Sequence, residues 1–235
     1  MTKFNSQICF NCKTCELVNT EECNEYCPHY FAINWLVERS NIPQSKRKFH
    51  NLIPSESDVD NFARLNYVKD NVYPFVLRGN NLYLWSNNTQ NGKTSWTINI
   101  LLAYLQTVSP MDINEFKGVF VNVPSFLQRC KDNMNNYDSG FDYFKSRVRM
   151  ADLVIWDDIA TNATLSSYDS NVLSTHLAER HLNGKSNIYT GNVSGQLLEN
   201  VLGKQLSTCI KRAGTHVIKL NGEAYKNNDF FADFK

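Results

Sequence analysis

The stretch LYLWSNNTQNGKTSWTINILLAYL, residues 82–105, decides how the rest of the chain is read. Leu82–Trp85 is an apolar, β-prone run. A polar turn follows, and an apolar-rich segment with helical periodicity begins after Gly92-Lys93-Thr94. A strand, a tight turn and a helix opening on Gly-Lys-Thr form a receptor for phosphate, because main-chain N–H groups can encircle an anion at the positive end of the helix. The pattern G-x-x-x-x-G-K-[ST] falls on Asn87, Asn88, Thr89, Gln90, Asn91, Gly92, Lys93 and Thr94, with Ser95 next. Lys93 would meet the β- and γ-phosphates and the Thr94 hydroxyl would ligate Mg²⁺. Asn87 stands where the pattern has its first glycine. It is a tolerable substitute, because asparagine visits the left-handed region more readily than other non-glycine residues. Gln90 stands where many such loops have another glycine and has no such excuse. Taken alone, the segment reads equally well as a polar loop with one exposed lysine.

The run ADLVIWDDIA, residues 151–160, supplies the acidic half of such a site. A buried strand ending in adjacent carboxylates would let Asp157 hold Mg²⁺ and Asp158 orient or deprotonate an attacking water. It lies one strand and two helices beyond the loop, as an α/β nucleotide fold requires. Around these two motifs the pattern alternates strand and helix, implying a parallel sheet covered on both faces. Strands are expected at 82–85, 118–123, 152–156, 186–190 and 215–220. Helices are expected at 93–107, 124–132, 139–149 and 169–183, and in two pieces over 194–212. Upstream, YFAINWLVER carries an imperfect helical stripe through Phe31, Ile33, Trp35 and Val37. A helix through VDNFARLNYVKDN is expected to stop before Pro74.

Composition sets outer bounds. The 235 residues suit one main domain with a small appended module. Hydrophobic residues make up 42% and charged residues 20%, an ordinary globular balance. The net charge of +1 means that any nucleic-acid contact needs a local basic patch. No run approaches a membrane span and MTKFNSQICF lacks a signal-peptide core, so a cytoplasmic protein is expected.

Five of seven cysteines, Cys9, Cys12, Cys15, Cys23 and Cys27, crowd into C-x2-C-x2-C-x7-C-x3-C. In a reducing compartment this density points to Zn²⁺, with two thiolates from each of two short turns. Five thiols compete for four positions, so either Cys9 or Cys15 is spare. An iron–sulfur cluster is the alternative, disfavoured by the long gap before Cys23. Farther along, Lys145, Arg147 and Arg149 lie among Phe141, Tyr143 and Phe144. This combination suits phosphates and unpaired bases, and equally a helix with a solvated basic edge.

Over roughly residues 40–226 the sequence resembles helicase loaders of the DnaC and DnaI type, which are AAA+ ATPases. The resemblance rests on NIPQSKRKF (41–49), GNNLYLWSNNTQNGKTS (79–95), DLVIWDDIA (152–160) and VIKLNGEAYK (217–226), in that order. It implies a P-loop AAA+ ATPase core, a parallel sheet flanked by helices, over residues 55–235. Ahead of it, NIPQSKRKFHNLIPSESD, with two prolines and the basic cluster Lys46-Arg47-Lys48, reads as a linker at 41–54, and the resemblance implies that the zinc-binding module at 1–40 grips a replicative DNA helicase. ATP, Mg²⁺ and Zn²⁺ are the implied cofactors, with assembly of several copies on helicase or single-stranded DNA. NIYTGNVS (187–194) resembles the strand whose last polar residue senses the γ-phosphate, and Asn192 matches that position. The family's arginine finger would fall near Thr208-Cys209-Ile210, so it is displaced to Arg212 or missing. ATP binding is thus better supported than turnover. Compactness and the drifted loop suggest a phage or mobile-element version. The rival readings are a non-hydrolysing P-loop adaptor that docks to a replication factor, and a small-molecule nucleotide kinase.

Overall fold

The computed structural model describes residues 26–108, 116–161 and 164–222. Among them, five strands form one parallel sheet: β1 Asn81–Trp85, β2 Gly118–Asn122, β3 Leu153–Ala160, β4 Ser186–Gly191 and β5 Thr215–Lys219. Their order is β2-β3-β4-β1-β5, so the first strand sits between the last two.

A parallel sheet needs a cover on each face, which is why its strands read as nearly continuous apolar runs. Side chains alternate between two cores. Leu82 and Leu84 of β1, Phe120 of β2, Leu153 and Ile155 of β3, Ile188 of β4 and Ile218 of β5 face one layer. That layer is built by α1 (Pro28–Arg39), α2 (Val59–Asp70), α3 (Val72–Leu77) and α4 (Lys93–Val108). Tyr83, Val119, Val121, Val154, Trp156 and Tyr189 face the other. Its helices are α5 (Val123–Asn135), α6 (Ser139–Met150), α7 (Ser167–Leu182), α8 (Leu198–Leu202) and α9 (Lys204–Ile210). The sandwich places the carboxyl ends of β1, β3 and β4 side by side, which is where open α/β sheets bind ligands.

Several details depart from the sequence reading. In α1 the buried residues are Ala32, Ile33, Leu36 and Val37. Phe31 is exposed, and Trp35 lies under the Arg39 guanidinium, 3.9 Å from its ring centroid. Ile33, Leu36 and Val37 join the same apolar cluster as α4, so this helix packs on the sheet body. Pro74 does not end the helical pattern. It occupies the third position of α3, within the first turn, where a missing N–H breaks no intrahelical bond. Residues 41–54, expected to be a linker, run against the body instead. Ile42 is buried, Asn41 donates its side-chain amide to Phe120 O at 2.9 Å, and the Phe120 N–H donates to Ser40 O at 2.7 Å.

Arg180 is a large structural element that the sequence did not reveal. It is fully buried on α7, and among the described residues no carboxylate lies at hydrogen-bond distance from it. Its guanidinium donates to the carbonyls of Val148, Arg149, Ala151 and Ser186 and to Asn187 Oδ1, at 2.6–3.3 Å. Two of these carbonyls lie at the carboxyl end of α6, the negative pole of that helix. One side chain therefore pins α6, α7, the approach to β3 and the start of β4.

Candidate nucleotide-binding site

β3 does not end at Trp156, as expected, but bulges and continues to Ala160. Trp156 pairs with Tyr189 and Ala160 with Gly191, so three residues of β3 oppose Thr190 alone. The bulge turns both carboxylates toward the phosphate loop and leaves Asp158 in the left-handed region at φ 59°. Thr190 fills the gap. Its hydroxyl donates to Asp157 Oδ1 at 2.9 Å and accepts the Asp158 N–H at 2.8 Å. On the other side, the Thr94 hydroxyl donates to the same Asp157 oxygen at 2.9 Å. The first turn of α4, β3 and β4 thus converge on one carboxylate.

Asp157 is 4% exposed, and burial together with the neighbouring Asp158 charge pushes its carboxyl up to about 6 despite the two hydroxyl donors. A group held this way favours a proton or a cation. Lys93, also buried, has its ammonium pushed down by burial, opposed by Asp158 and Asp157.

The loop itself is tight. Ser86, buried at its start, accepts the Asn88 N–H at 3.0 Å and the Asn91 side-chain amide at 2.6 Å. Lys93 Nζ donates to Asn88 O at 2.7 Å and Asn91 Oδ1 at 3.2 Å, so its charge is answered from within the loop. The left-handed position falls on Gln90, φ 57°, and not on Asn87, the residue expected to take it; Gly92 has φ 90°. Asn87, Asn88, Thr89 and Gln90 are exposed and Asn91 is buried. Asn88 also donates its side-chain amide to Asn221 O and Gly222 O. Among the described residues, no acceptor takes the N–H groups of Thr89, Gln90, Asn91 or Gly92. Unpaired donors, one lysine and a hydroxyl at a helix start suit a polyphosphate and its Mg²⁺.

These groups open onto a cleft of about 1220 Å³, large enough for a nucleotide. Thr89 to Ser95 line one end, and Asp158, Thr161 and Asn192 line a flank. Asn87 and Asn88 do not line it, and Asp157 lies behind Thr94. A further part of the lining, residues Lys46 and Lys48 to Leu52, was missed by the sequence reading, as was Thr190.

No family model and no curated protein matches the sequence. Solved structures do match it. The DnaC helicase loader aligns at TM-score 0.59 and 19% identity over 73% of this chain and 94% of that one. A putative primosome component from Streptococcus pyogenes serotype M3 aligns at TM-score 0.57 and 20% identity, covering 82% and 98%. Domain III of the Thermotoga maritima replication initiation protein DnaA gives 0.60 and 17%, covering 77% and 69%.

The chain shares the fold of these structures, a parallel sheet flanked by helices. Within this core, the remaining sequence candidates fall in different places. On α6, Lys145 pairs with Asp142 and Arg147 is buried, bonded to Arg39 O. Phe141 is buried, whereas Tyr143 and Arg149 are exposed. Much of the basic and aromatic character of that helix is therefore consumed internally. Arg212 is exposed after α9 and does not line the cleft of its own chain. Cys9, Cys12, Cys15 and Cys23 lie outside the described residues. Cys27 directly precedes α1 and is half-buried. Among the described residues there is no cluster of three or more metal-ligating side chains, and no helix is long and apolar enough to cross a membrane.

Proposed function

We propose that this protein is an ATP- and Mg²⁺-binding helicase loader that delivers a replicative DNA helicase to single-stranded DNA, in the manner of a compact phage or mobile-element protein. The observation that carries the reading is the Thr94–Asp157–Thr190 junction beneath Lys93, in a sheet shared with the DnaC helicase loader. Lys93 would leave Asn88 O and Asn91 Oδ1 to neutralise phosphate oxygens, and the loop N–H groups would hold the rest of the chain of phosphates. Thr94 and Asp157 would hold Mg²⁺, which draws charge from the transferring phosphoryl group. Asp158 would orient an attacking water, and Asn192, on the flank of the cleft, would sense the γ-phosphate. Cys9, Cys12, Cys15, Cys23 and Cys27 are the pool from which four zinc ligands would come, in a module that grips the helicase. Contact with single-stranded DNA and assembly of several copies rest on the likeness to loaders and DnaA and not on α6.

Calorimetric titration of wild type and Lys93→Ala with Mg·ATP tests the nucleotide site. Binding by the wild type that is lost in the variant is expected, together with ATP-dependent copurification of a replicative helicase. Equal and negligible binding would instead favour the adaptor reading, in which the loop permanently answers its own lysine through Asn88 and Asn91. Zinc analysis of single Cys→Ser variants identifies the ligand set: four variants should lose metal and one should keep it.

A further inference from the structure

The lining of the cleft has two chemically unlike parts. One offers N–H groups and Lys93, and another is a stretch without helix or strand that contains Phe49, His50 and Leu52. Phe49 and Leu52 pack part of their surface on the apolar core, which leaves the remainder to the cleft. A segment without its own ladder needs something else to fix it, and Asn99 does so. From α4, where it is 5% exposed among apolar neighbours, Asn99 accepts the His50 N–H at Oδ1, 2.8 Å, and donates Nδ2–H to His50 O, 2.9 Å. One primary amide satisfies both backbone groups of one residue, as a neighbouring strand would. Asparagine is a poor choice for a helix interior, so its presence there needs a reason. At the other end of the segment Arg47 Nε donates to Ile42 O at 2.9 Å.

We propose that Asn99 is a positioning residue for the nucleobase: its clasp on His50 holds the Phe49–Leu52 wall at a fixed distance from the phosphate loop. This rests on the nucleotide reading above. Lys93 and Asn99 lie six residues apart on one rigid helix, a rise of about 9 Å, so phosphate contact and base wall are referenced to the same element. A ligand with both a base and phosphates gains from that spacing. A ligand with phosphates alone does not.

The test uses the full chain and compares Mg·ATP with Mg·tripolyphosphate by calorimetry, for wild type, Asn99→Ala and Asn99→Asp. Asn99→Asp keeps the size and the acceptor but sets a carboxylate against His50 O. Both variants should bind ATP about tenfold more weakly, the order expected when a binding wall loses its fixing hydrogen bonds. Tripolyphosphate affinity should stay within about twofold, because no phosphate contact changes. The His50 amide should exchange faster in Asn99→Ala. Should Asn99→Ala fail to fold, Asn99→Asp carries the same comparison. Equal weakening toward both ligands, or no change toward either, overturns the proposal. Failure of the wild type to bind ATP overturns the nucleotide reading itself and is seen before any variant is made.

Discussion

Replacing Asp157 with asparagine should stabilise the nucleotide-free protein at neutral pH. The Asp157 carboxyl is pushed from 3.8 to about 6, chiefly by burial and then by Asp158. The folded state therefore holds a proton between those values that the unfolded chain has already released. Stability must then fall as pH rises through that window and level off above about 6, since it falls wherever the native state binds more protons. The shift corresponds to about 3 kcal/mol of penalty on the charged form at pH 7. Asp157→Asn removes it while keeping an oxygen able to accept from Thr94 and Thr190, both of which now bond Oδ1. Urea unfolding of wild type and variant from pH 4 to 7.5 should give curves that separate as pH rises, the variant more stable by up to about 3 kcal/mol at pH 7. Mg²⁺-dependent ATP binding should be lost at the same time, because the amide carries no charge. A variant equal to or less stable than wild type at pH 7, or a difference that does not change with pH, would refute this account of the carboxylate.

Two further outcomes follow from local geometry. Gln90→Gly should stabilise the chain by about 1 kcal/mol in urea unfolding, because left-handed backbone costs an L-residue about 1–2 kcal/mol and glycine returns part of that as unfolded-state entropy; a loss of stability would mean that the Gln90 side chain has an anchoring role. Arg180→Met should cost more than about 3 kcal/mol by the same assay, since it strands several buried carbonyls at once. A cost below about 1 kcal/mol would show that α6 and β4 find other partners.

The fold was legible because a parallel sheet buried on both faces leaves an unambiguous trace. Leu82-Tyr83-Leu84, Val119-Phe120-Val121 and Leu153 to Trp156 are apolar at every position, since odd and even residues each meet a layer of helices. The helix after Gly92-Lys93-Thr94 was equally plain. Less legible were elements whose identity depends on distant contacts. Pro74 reads as a breaker along the chain, but α3 begins close enough ahead of it to place it in a first turn. Arg180 resembles any helix arginine until α6, Ala151 ahead of β3 and Ser186 of β4 present their carbonyls to it.

The candidate site divides along the same line. Gly92, Lys93, Thr94 and the Asp157-Asp158 pair announce themselves, because a phosphate loop and an acidic strand end are local patterns. Asn87 misled, since left-handed tolerance is a property of the residue whereas the turn assigns that conformation by its own closure, here on Gln90. Thr190 carried no signal at all, because its role arises only when three residues of β3 bulge opposite it. The second part of the lining was hidden for a related reason: Lys46 to Leu52 have the polar, proline-flanked look of a linker, and packing on the core together with an asparagine 49 residues later in sequence turns the segment into structure. Sequence motifs thus mark the part of the candidate site that would bind what every nucleotide shares. The part that would tell one ligand from another is assembled by side-chain contacts between elements, and those contacts leave no periodicity to read.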